Sequence, residues 1–137
     1  MNTKIFAYCE RGTDPSFWAE PVNAITNAAF IIAALAGLWL WATRGRGRRH
    51  PAELLLCLLV AVIGVGSFLF HTYATRWSSL ADTIPIGIFM VAYLGLALRR
   101  FLAWSWIATA AGLVVFCLAL WQSGSVRCGG VPCLNGS

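Results

Sequence analysis

Ser67 and His71 stand one helical turn apart at the end of an apolar run, and Asp82 follows at the head of the next run. Residues four apart share one face of a helix. A hydroxyl, an imidazole and a carboxylate so placed are the parts of metal-assisted hydrolysis. Neutral imidazole is a good zinc ligand, and a neighbouring carboxylate can orient or deprotonate a zinc-bound water. A hydroxyl one turn away can hydrogen-bond a developing oxyanion. Ionisable groups at the margins of membrane segments are costly to dehydrate, so by default they point to function.

A second polar set lies upstream. Glu20, Asn23 and Asn27 recur at i, i+3 and i+7 and share a helix face. Carboxylates at this level suit a hard cation such as calcium, which takes several oxygen ligands. Each residue also has a purely structural reading. Asp82 favours the positive end of a helix, and Ser67 beside Gly64 and Gly66 permits close helix packing. The asparagines can be interhelical hydrogen-bond glue, Glu20 a first-turn acid, and His71 an interfacial imidazole bonded to a carbonyl. What favours a site is that polar side chains from three segments fall at one depth.

The elements that must hold these residues are apolar. Hydrophobic residues make up 59% of the 137-residue chain and charged ones only 11%, far from the balance of a soluble domain. Apolar runs predict helices over about 21–43, 54–75, 80–98 and 101–121. Each comes close to the roughly 20 residues that cross a bilayer. The fold class expected is an all-α integral membrane protein with four transmembrane helices. It forms a single domain over 1–137, with a polar N-terminal segment 1–18 and a polar tail 122–137.

Basic residues orient it. Arg44, Arg46, Arg48 and Arg49 crowd one loop, and Arg99 and Arg100 fill the next turn on that side. The positive-inside rule makes both clusters cytoplasmic, so N- and C-termini face outward and the polar cluster is extracytoplasmic. The formal charge of +5 therefore concerns topology and anionic lipid, and no feature points to nucleic acid. Trp18, Trp77 and Trp121 fall near the outer helix ends and Trp39, Trp41, Trp104 and Trp106 near the inner ones, as an aromatic belt requires. Cys57 and Cys117 lie within helices. Cys9, Cys128 and Cys133 fall on the outer face, an oxidising compartment for a bacterial inner-membrane protein. Either a Cys128–Cys133 or a Cys9–tail disulfide fits the spacing.

Four motifs carry a family resemblance. Tyr8-Cys9-Glu10 and Ala19-Glu20-Pro21-x-Asn23-Ala24-x-Thr26-Asn27, followed by Gly66-Ser67-x-x-x-His71 and Asp82-Thr83-x-Pro85, resemble the signatures of the alkaline ceramidase family. The resemblance implies a seven-helix membrane hydrolase that cleaves the amide of ceramide, of which this chain matches the first four helices. It implies zinc on His71, with Asp82 as acid/base partner of the zinc-bound water and Ser67 holding the amide carbonyl. It also implies a calcium site using Glu10 and Glu20. There Ala7 stands where an aspartate is usual, the stretch before Glu20 is one residue shorter, and Asp14 is a weaker candidate ligand.

One departure is larger. The family completes its zinc shell with two histidines on its last helix, whereas His50 is the only other histidine here and belongs to the opposite loop. Either the sequence is the N-terminal part of a longer hydrolase, the favoured expectation, or it is a short relative that has lost the chemistry. The implied partner is a lipid substrate, ceramide or another N-acyl lipid; nothing in the sequence sets an oligomeric state. The competing reading is a non-catalytic four-helix membrane protein that binds lipid or a partner.

Overall fold

The computed structural model describes residues 3–6, 9–125, 127–128 and 131–132, with side chains described except at 46 and beyond 122. It is helical: α1 (Pro21–Thr26), α2 (Ala28–Thr43), α3 (Pro51–Tyr73), α4 (Arg76–Arg100) and α5 (Trp106–Ser125). A two-residue antiparallel pairing of Arg127–Cys128 with Val131–Pro132 follows. Three stretches, Pro21–Thr43, Pro51–Tyr73 and Arg76–Arg100, are long and apolar enough to span a membrane, and Trp106–Gln122 is a shorter apolar helix. At 1.5 Å per residue, a 23-residue span reaches ~35 Å. Large apolar side chains such as Ile32, Leu35, Val62, Val65, Ile84 and Ile88 are exposed. This is the outward apolar surface of an integral membrane protein, in which lipid is the solvent.

Asn27 interrupts the first span. Its amide donates to the Asn23 carbonyl at 2.9 Å, and the Thr26 hydroxyl donates to Val22 and Asn23 carbonyls. Such side-chain bonds compete with the helical ladder. The result is a short α1 that ends at the polar level and a long apolar α2.

In α3, Pro51 occupies the first turn, where its missing N–H costs nothing. The end of α3 is accounted for completely. Its last four carbonyls lack helical partners, yet each has one here. The Phe70 carbonyl accepts from Ala74 N–H at 2.8 Å, the His71 and Thr72 carbonyls from Arg11, and the Tyr73 carbonyl from Lys4 Nζ at 2.8 Å. Ala74 is left-handed (φ 46°), a conformation costing an alanine roughly 1–2 kcal/mol. It is held by a 2.7 Å bond from Ile5 N–H and by the Lys4–Thr75 bridge.

α4 begins at Arg76, ahead of the expected 80, because the Ser78 hydroxyl holds the backbone of Thr75 at the helix start. Ser78 Oγ accepts from Thr75 N–H and donates to the Thr75 carbonyl, both at 3.0 Å. This is the logic of a capping box with serine at its third position. Asp82 consequently sits inside the helix instead of at its head. Pro85 has no N–H for the Ala81 carbonyl, and that oxygen rests against Gly66. A β-carbon on Gly66 would lie 2.1 Å from it. Gly66 thus lets α3 and α4 touch backbone to backbone and brings Asp82 beside Ser67.

The chain divides into two compact units, 1–90 and 91–137. The second contains the turn between α4 and α5. Arg99 and Arg100 extend the last turn of α4, where cations suit the helix dipole. Arg99 lies over the Trp106 ring at 4.1 Å and donates to the Trp104 carbonyl. α5 therefore starts at Trp106, later than the expected 101, with Ser105 Oγ accepting from Ala108 N–H as its N-cap.

Candidate active site

The cluster lies where α1, the end of α3 and the start of α4 meet the N-terminal segment. Glu20 and His71 are both buried, at 2% and 8% exposure. Glu20 Oε2 lies 2.6 Å from His71 Nδ1. An ionised carboxylate can only accept, so Nδ1–H is the donor of this bond.

Glu20 is paired with Arg11, which is 2% exposed and whose Nε donates to Oε1 at 2.5 Å. Arg11 is a site residue that no sequence motif singles out. A carboxylate at the margin of an apolar run needs a countercharge, and that was the available signal. Removing one partner of such a buried pair costs about 3–5 kcal/mol. Asn23 reaches the same carboxylate, its amide 3.5 Å from Oε2. Asn27, although buried, turns its side-chain amide back to the Asn23 carbonyl of the preceding turn.

Asp82 completes the group. Ser67 and the His71 ring both lie within electrostatic reach of its carboxylate. Oδ1 is buried and has no hydrogen-bond partner. A native structure seldom tolerates an unsatisfied buried carboxylate oxygen, and such atoms call for a catalytic role or an absent ligand.

The other carboxylates are engaged elsewhere. Glu10 caps α1, accepting from Val22 and Asn23 N–H at 2.7 and 3.2 Å. Asp14 accepts from Ser16 N–H and hydroxyl at 2.8 and 2.9 Å. Calcium takes six to eight oxygens. With Glu20 shared between Arg11 and His71, Glu10 on a helix end and Asp14 in a local turn, these residues do not fit that ion. Cys9 is exposed with a free thiol; Cys133 and the Cys128 side chain lie outside the described residues.

Zinc fits in part. A metal-binding histidine commonly donates its other ring N–H to a carboxylate, and Glu20 stands in that position. Among the described residues, however, no three His, Cys, Asp or Glu side chains group to hold a metal.

Fold and site define a helical membrane protein with a carboxylate-held imidazole near a half-buried aspartate whose Oδ1 is unpartnered. The chain belongs to the Ceramidase family, whose model matches residues 3–128. No curated protein and no solved structure matches it. Membership makes the chain ceramidase-like, with amide hydrolysis of a lipid as the implied activity.

Proposed function

We propose that this chain carries the His71–Asp82 part of an amidohydrolase that cleaves the amide of ceramide or a related N-acyl lipid. The observation that carries this reading is the unpartnered Oδ1 of Asp82 beside His71 and Ser67. Glu20 fixes the imidazole through Nδ1, and Nε2 is the nitrogen assigned to the chemistry. Asp82 accepts the proton of the attacking water at Oδ1, and the Ser67 hydroxyl donates to the amide carbonyl. Zinc bound at His71 Nε2 would make that water acidic at neutral pH. The remaining ligands of such a shell are not among the described residues.

The substrate class follows from the walls. An apolar cleft of about 340 Å³, lined by Val62, Val65, Gly66, Leu69 and Ala81, runs along α3 and α4 beside Asp82. A second, of about 360 Å³, lies between α1, α2 and α3 near Asn27 and Phe68. Both suit acyl chains, not a soluble substrate. With the arginine clusters in the cytoplasm, the site opens to the extracytoplasmic side of a bacterial inner membrane.

The test is release of free sphingoid base from a fluorescent ceramide in detergent with added zinc. Turnover by the wild type that is abolished in His71→Ala and Asp82→Asn supports the reading. Lipid binding without turnover favours the second one, a non-catalytic membrane protein that binds lipid or a partner. The lack of a three-ligand metal group among the described residues is what recommends that alternative.

A further inference from the structure

The Arg11 guanidinium is buried in a shell of oxygen. Nε donates to Glu20 Oε1 at 2.5 Å, Nη1 to the Asp14 and Ser16 carbonyls at 3.3 and 2.9 Å, and Nη2 to the His71 and Thr72 carbonyls at 2.8 and 3.3 Å. Arginine has five N–H donors, and each finds an acceptor. Carbonyls and one carboxylate, gathered from the 14–16 turn, Glu20 and the last turn of α3, are the donor set that hard divalent cations favour. The negative end of the α3 dipole adds to the attraction. Gly12, at φ 55°, lets the chain turn back immediately after Arg11.

We propose that Arg11 is the resident cation of this cage, taking the place a divalent metal ion would otherwise fill. The side chain joins the N-terminal segment to α3, neutralises Glu20 and leaves its second oxygen for His71. This end of the fold therefore needs no calcium. Lysine would not serve equally, since its three donors on a point charge leave carbonyls unmatched. The inference concerns packing and does not depend on the hydrolase reading.

The experiment follows thermal unfolding of the full chain in detergent by tryptophan emission, with calcium chloride or with a chelator. The wild-type midpoint is expected to be the same in both. Arg11→Ala, purified in calcium, is expected to melt several degrees lower in chelator and to recover much of the loss in calcium. Arg11→Lys should fall between them without a calcium response. Arg11→Ala combined with Glu20→Gln should lose the calcium recovery, because the cage no longer carries its carboxylate. A wild type stabilised by calcium would overturn the proposal. So would an Arg11→Ala chain that melts like wild type, or one that calcium neither folds nor stabilises.

Discussion

Glu20 Oε2 meets His71 Nδ1 at 2.6 Å across 51 residues of sequence. This contact links the start of α1 to the end of α3 and engages the imidazole through Nδ1. Arg11 on the other oxygen makes the link directional, because a carboxylate facing a guanidinium stays an acceptor.

The first consequence concerns Glu20→Gln. An amide cannot hold the proton on Nδ1 as an ionised carboxylate does, and it leaves Arg11 without its countercharge. Replacing such an orienting carboxylate typically lowers metal affinity or activity by about 10–100-fold. Zinc titration of lipid-amide hydrolysis measures it; an unchanged zinc dependence would remove Glu20 from the positioning role.

Asp82→Asn separates activity from stability. The Oδ1 atom is buried without a partner, so the folded protein gains little from it. Loss of a general base lowers turnover by roughly 10²–10⁴-fold. The expected outcome is a fall in kcat with KM and the melting midpoint nearly unchanged. A parallel loss of both would make Asp82 a structural residue.

Gly66→Ala tests the α3–α4 contact. Its β-carbon would lie 2.1 Å from the Ala81 carbonyl oxygen, a backbone atom that cannot swing away. Overpacking of this kind costs about 1–3 kcal/mol, and more when backbone must move. Unfolding in detergent should show the loss, with turnover falling as Asp82 moves from Ser67. Gly87→Ala is the control, since nothing lies within 4 Å of its β-carbon.

Asp14 supplies a pH dependence outside the membrane spans. Hydrogen bonds from the Ser16 N–H, then from its hydroxyl, hold the carboxyl below its ordinary 3.8, against a small opposing effect of burial and with a weaker pull from Arg11. A depressed carboxyl stabilises the fold fully above its unfolded pKa and ceases to do so as pH falls through the folded value. The midpoint difference between wild type and Asp14→Ala should be constant from neutral pH down to 3.8 and narrow below it. A difference that widens in acid would contradict the assignment.

Much of the architecture is legible in the sequence because lipid imposes one rule on every span. Long charge-free runs must become helices, and they do. The boundaries that shifted are set by side chains instead. Thr75 and Ser78 start α4 early, Arg99 and Ser105 delay α5, and Asn27 divides the first span. Spacing placed Ser67 on the His71 face, and Gly66 supplies the contact that brings Asp82 to them. Periodicity has no means of pairing Glu20 with His71, or of burying Arg11 among carbonyls from distant segments. Those contacts exist only after the N-terminal segment folds onto the end of α3, so nothing local to Arg11 in the sequence marks it as part of the site.

The central claim is that Glu20 holds His71 with its proton on Nδ1 and Nε2 presented to the site. The chain has two histidines, so His50→Gln leaves a single imidazole to observe. Nuclear magnetic resonance of that variant with isotope-labelled histidine reads the tautomer directly. The account predicts the Nδ1–H form, an Nε2 resonance that moves when zinc is added, and loss of both features in Glu20→Gln. An Nε2–H tautomer, or an Nε2 resonance indifferent to zinc, would contradict it.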